Sequence, residues 1–198
     1  MAGLVPAISI LEHHLMIAPL ASPADVLSFW LHAGADRWWA KDDAFDTSIR
    51  TRFQGTWEAA RDGRLASWQA TDDGALALVI VLDQFPRNMF RGGPKMFSTD
   101  SMALEVAKVA IAQGRDKRVD SQLRGFFYLP FEHSESIDDQ NQCIDLYRAA
   151  DDADGLKWAE LHADIIRKFG RFPHRNATLG RSTTPDEKAF LDAGGFAG

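Results

Sequence analysis

Cysteine is nearly absent from this chain: Cys143 is the single one in 198 residues. That excludes an internal disulfide framework and any zinc site built on paired cysteines, and a lone thiol fits a reducing cytoplasm. Basic residues are missing from the start, where the first Lys or Arg is Arg37. The apolar stretch Met1 to Leu20 therefore lacks the positive region of a signal peptide. Glu12, His13 and His14 interrupt it, so it falls short of the roughly 20 apolar residues of a membrane span. Also missing are a His-Glu-x-x-His pair, the Glu-x-x-His pair of di-iron bundles, a Gly-x-Ser-x-Gly elbow, and Walker or Rossmann glycines. No metal or cofactor is expected on these grounds. With 28 acidic against 22 basic side chains and a net charge of -6, neither a nucleic acid nor a membrane surface is an expected partner.

What is present is enough apolar content, 45% of residues, to bury one domain-sized core. The reading is an N-terminal tail over 1–21 and a single helical domain over 22–198. Met16 offers an alternative start close to the first capped helix, which would leave much of the tail outside the native chain. From Ser22 onward the periodicity is helical and the class all-α, with about eight helices in antiparallel pairs. They are expected from Ser22-Pro23 to near Gly34, over Asp43–Arg61, from Asp72 through Gln84, and over about Ser98–Gln113 and Asp120–Ser136. Asp138–Ala150, Asp154–Phe169 and Pro185–Ala193 complete the set. Val79-Ile80-Val81 is β-branched, so a buried strand rivals the third helix.

One phrase occurs twice: Asp83-Gln84-Phe85-Pro86-Arg87-Asn88, and Gly170-Arg171-Phe172-Pro173-His174-Arg175-Asn176. Each copy follows an apolar helical run, and each proline is expected to stop that helix. An arginine grips a carboxylate or phosphate bidentately, and a nearby asparagine both donates and accepts, so two such corners can build one polar pocket. Between them lies Phe126 to Glu135, where helical spacing puts Tyr128, Glu132 and Glu135 on one face. Its two carboxylates either form an acid/base pair or cation ligands, or they neutralise Arg87 and Arg175 structurally. His162 shares a face with Trp158, Ile165 and Phe169, whereas Asp164 points away toward Lys168. The imidazole is either a satisfied core residue or a base near the second corner. Whether His133, His162 and His174 converge is left open. Cys143 reads as a small packed hydrophobe. Of Trp38 and Trp39, adjacent on a helix, one lines a groove or both close the bundle end.

The order Val26-Leu27-x-Phe29-Trp30, Trp38-Trp39-x-Lys41-Asp42-x-x-Phe45-Asp46, Leu82 to Gly92, Tyr128 to Glu135 and Arg171 to Asn176 resembles the bacterial DUF924 family over about Ala24 to Leu191. The resemblance implies an all-helical fold similar to tetratricopeptide-type helical pairs and supplies no chemistry, since the family is named for having no established function. Its motif positions fall on Asp83, Gln84, Arg87, Asn88, Arg91, Glu132, His133, Glu135, His162, Arg171, His174, Arg175 and Asn176.

Two functions are expected. In one, Asp83, Gln84, Arg87, Asn88, Arg91, Arg171, Arg175 and Asn176 bind a small anionic molecule, while Glu132, His133, Glu135, His162 and His174 exchange protons in a hydrolysis or isomerisation. In the other, the chain is a helical module for a protein or peptide partner and the motifs form a structural ion network. The two corners are expected to meet around Glu132, His133 and His162.

Overall fold

The structure, a computed structural model, describes residues 20–197, so most of the expected tail lies outside the described residues. All regular elements among the described residues are helical. Helix α1 (Pro23–Ala33) starts at a reciprocal cap in which Ser22 and Asp25 each bond the other's backbone N–H, as its Ser-Pro opening predicts. A one-turn α2 (Ala35–Trp38) leads to α3 (Asp43–Arg61), capped by Asp42. Phe45, Ile49, Phe53 and Trp57 on α3 form the expected stripe and are all buried.

The central strut of the fold is a helical path from Asp72 to Met89. It comprises α4 (Asp72–Val79), a π turn (Ile80–Gln84) and α5 (Phe85–Met89), and every residue from Gly74 to Pro86 is buried. The strand alternative for Val79-Ile80-Val81 is therefore excluded. Packing against α1, α3 and α6 (Asp100–Ala112) outweighs the few tenths of a kcal/mol that β-branching costs a helix.

Pro86 does not stop the helix, contrary to expectation: the helical path continues through it as α5, Phe85–Met89. A proline removes one N–H and its ring presses on the carbonyl four residues back. Here the π turn widens the helix, with the Phe85 N–H donating to Ile80 O, and the released Leu82 carbonyl accepts the Thr99 hydroxyl at 2.5 Å. At the second copy, α9 (Ala153–Phe169) ends at Gly170 in the left-handed conformation (φ 69°), two residues before Phe172. Glycine stops that helix, not Pro173, which instead opens a 3-10 turn over Pro173–Arg175.

The expected helix over Asp120–Ser136 is also absent. That stretch is a 3-10 turn (Arg124–Phe127) followed by the one-turn α7 (Leu129–Glu132). Asp120 turns the chain by accepting the Gln122 N–H, and Pro130 donates nothing to a helical ladder. Glu135 lies beyond α7 and so shares no helical face with Tyr128 and Glu132. The remainder, α8 (Ile137–Ala149), α9 and α10 (Pro185–Asp192), lies close to expectation. α8 and α9 pack against each other; α10 carries a Thr184–Glu187 capping box. Trp30, Trp57, Phe85, Phe127 and Phe131 fill the main core, and Ile165, Ile166 and Phe172 start a second, smaller cluster with Phe169, Phe190 and Phe196 around it. Among the described residues no helix is long and apolar enough to cross a membrane.

Candidate functional site: an ion cluster where the two corners meet

The π turn points Asp83 inward, where it is fully buried. Its carboxylate accepts from His133 Nδ1 at 2.8 Å, from Arg87 Nη2 at 3.3 Å and from the Gln84 amide. Burial pushes its pKa up, but the neighbouring His133 and Arg87 and these hydrogen bonds outweigh it and hold the carboxyl at about 2. Burial and the neighbouring Arg87 lower the His133 pKa against the opposing pull of Asp83, and Nδ1–H donates to the Asp83 carboxylate. Arg87 reaches on to Asp100, at the first turn of α6, with contacts of 3.2 and 3.1 Å.

The second corner arrives at the same carboxylate. Arg175 Nη1 lies 3.7 Å from Asp100 Oδ2 and donates to the His133 carbonyl at 3.0 Å. Its guanidinium carbon lies over the Phe97 ring, 4.8 Å from the centroid, and over the Phe172 ring, 4.4 Å from the centroid. It is 7% exposed, and its buried Nε has no partner among the described residues. Burial and the like charge of Arg87 lower its pKa to about 10 despite Asp100. Arg87 and Arg175 thus share one acidic partner.

A second station adjoins this one through the Glu132-His133 backbone. The Glu132 carboxyl is buried in α7, accepts no hydrogen bond from a described residue, and lies 3.3 Å from His162 Nδ1. That nitrogen donates to Trp158 O at 2.8 Å. Burial, aided by Asp83, raises Glu132 to about 8, so it is largely protonated at neutral pH. His162 is buried and held neutral by that burial. His174, whose Nδ1 is buried without a partner, is pushed down to about 4 by burial and by Arg175. The Phe196 ring lies against both imidazoles, 4.5 Å from His162 and 5.2 Å from His174. Burial pushes the Cys143 thiol far up, in keeping with a packed side chain rather than a nucleophile.

The other expected site residues fall elsewhere. Asn88 and Arg91 both bond Asp46 on α3, at 2.7 Å and at 2.8 and 3.0 Å. Arg171 and Asn176 bond Glu187 on α10. Glu135 holds Arg181 and the Phe172 N–H. Asp164 pairs with Arg167, not Lys168. The single pocket expected of all these residues is therefore divided into separate stations, and the two asparagines do not meet. Trp38 packs against Trp30 and Phe126, while Trp39 is 64% exposed.

Asp46, Asp100, Arg181 and Glu187 went unread in the sequence. Asp46 stood inside a quoted motif. Asp100 carried no signal beyond an acidic residue in a first helical turn. Among the described residues no three His, Cys, Asp or Glu side chains are grouped to hold a metal ion. Two surface grooves, of about 570 Å³ between α8 and α9 and about 290 Å³ beside α1 and α3, include no residue of the central cluster.

A search of curated proteins finds no match. The chain is similar to a solved structure of a protein of unknown function from Agrobacterium tumefaciens, with 45% identity and a TM-score of 0.84 over 86% of this chain and 97% of that one. The family model described as "Bacterial protein of unknown function (DUF924)" matches residues 26–195. Nearly the whole helical bundle, both corners and the ion cluster included, falls within that match, and the chain belongs to the DUF924 family.

Proposed function

We propose that the cluster binds a small anionic metabolite at Arg175, with Arg87 behind it, and that Glu132, His133, His162 and His174 move protons around the bound molecule. The observation that carries this reading is the state of Arg175: a buried guanidinium whose Nε–H is unpaired and whose charge its surroundings penalise. A buried cation with an idle donor gains a hydrogen-bonded partner from an incoming anion. Protonated Glu132 supplies an acid and the neutral imidazoles supply bases, the divided titration that isomerisation or hydrolysis requires. The free, buried Cys143 suits a reducing cytoplasm.

A structural ion network is the second reading, and the full pairing of Arg87 by Asp83 and Asp100 favours it. A tetratricopeptide-like groove for a peptide has only the exposed Trp39 behind it, since Trp38 is packed away. Thermal shift separates the first two readings. We expect sodium acetate or sodium phosphate to raise the melting temperature of the wild type, and Arg175→Met to remove that rise while staying folded, because a linear thioether packs well against phenyl rings. If Arg175→Met instead lowers stability by roughly 3–5 kcal/mol, the cost of orphaning one partner of a buried pair, and the wild type ignores both anions, the network is structural.

A further inference from the structure

The geometry around Arg175 is specific enough to name a ligand class, on the reading that the cluster is an anion site. Two aryl rings pack against the guanidinium, so a polar ligand meets it through its N–H edges. One edge is occupied, because Nη1 serves the His133 carbonyl and faces Asp100. The Nε and Nη2 edge has no partner among the described residues, and Nε is fully buried. Two parallel N–H groups in the plane of a guanidinium match the two oxygens of a carboxylate. A phosphate would bring further oxygens and more charge into the same buried place, at a greater cost.

The charges of the cluster add a second constraint. Arg87 and Arg175 are set against Asp83 and Asp100, two cations against two anions. A carboxylate entering alone would leave one uncompensated negative charge in a buried place, which is costly. The group placed to cancel it is His133: its ring contacts Asp83, and its carbonyl is the one that Arg175 holds. The charged and titratable groups around that ring are Asp83 on the π turn, Arg87 on α5, Asp100 on α6, Glu132 on its own helix α7 and Arg175 on the second corner, with His162 of α9 against Glu132.

We propose that the site takes a small planar monocarboxylate through the Nε and Nη2 edge of Arg175, and that the anion enters together with one proton, which His133 accepts. The bound state then holds Arg87, Arg175 and imidazolium against Asp83, Asp100 and the ligand, and the cluster is neutral again. Affinity must fall about tenfold for each pH unit across the range in which the free imidazole is neutral and the bound one is charged.

The test is calorimetric titration of the full chain with sodium acetate at pH 6, 7 and 8, each in two buffers of different ionisation enthalpy, with sodium phosphate as the comparison anion. Expected are one proton taken up per acetate, a roughly tenfold weaker Kd at pH 8 than at pH 7, weaker binding of phosphate, and loss of acetate binding in Arg175→Met. His133→Asn keeps a donor toward Asp83 and cannot take up a proton, so it should bind acetate more weakly and with no proton uptake. Acetate binding that depends on Arg175 but carries no proton overturns the coupling and leaves the anion site standing. Phosphate bound in preference to acetate overturns the carboxylate class. Binding of neither anion at any pH removes the anion site itself, and this inference with it.

Discussion

Glu132 is the residue whose burial has the clearest consequence in solution. Its carboxyl has a pKa near 4.5 in an unfolded chain and about 8 in the fold, so between these values the folded state keeps a proton that the unfolded state has released. Stability from this group falls as pH rises through that window. At pH 7 the deficit is about 3 kcal/mol. Glu132→Gln retains the shape without the titration and should raise the melting temperature at pH 7 to 8 while changing it little at pH 4.5. Melting curves across that range check it, and an equal effect at both ends would show that Glu132 is already ionised in the fold. The importance of Glu132 was readable from the sequence, because it sits in a dense aromatic and acidic phrase. Its partner was not: only the fold brings His162, thirty positions later, against it. Asp100 was missed for the same reason, since an acidic residue in a first helical turn is ordinary until two arginines from distant corners converge on it.

Among the elements, the π turn at Ile80–Gln84 governs how the site is built. It absorbs Pro86 and lets Asp83 and Gln84 face inward together, and it depends on Thr99 to satisfy the Leu82 carbonyl. The same hydroxyl accepts from Trp57 Nε1 at 3.2 Å, so one side chain ties α3, the central path and the start of α6. Thr99→Val keeps the shape and removes both bonds. Leaving a buried carbonyl and a buried indole N–H without partners should cost about 1–3 kcal/mol each, measurable by urea denaturation, and should also weaken acetate binding through the displaced Asp100. A loss below about 0.5 kcal/mol would mean that water replaces the hydroxyl. The capped, periodic helices around this strut were legible because caps and 3.6-residue spacing are local signals. The π turn and the broken Asp120–Ser136 stretch were not, because a proline's effect is decided by whether a neighbour can take the carbonyl it releases.

The molecule has two apolar centres joined by charge. The main core surrounds α4 and α5, whereas Ile165, Ile166, Phe172, Phe190 and Phe196 form a small cluster under α10. Ion pairs hold that arm: Arg171 to Glu187, Arg181 to Glu135 and Arg175 to Asp100. Its apolar area is small, so the free energy needed to open it should lie well below that of global unfolding. Arg171, with the Thr184 N–H, holds Glu187 at about 2, and Arg181 lowers Glu135 against the opposing effect of burial. Both carboxyls are depressed in the fold, so their contribution is complete above the ordinary carboxylate range and is lost as pH falls through it. Native-state hydrogen exchange should therefore find α10 amides exchanging through a local opening, faster than those of α4. The gap should widen from pH 7 to pH 4, after correction for the intrinsic exchange rate. Glu187→Gln should abolish most of that widening, because it removes the titrating partner of Arg171 and keeps the volume. Equal protection of α10 and α4 at both pH values would show that the two centres unfold as one unit.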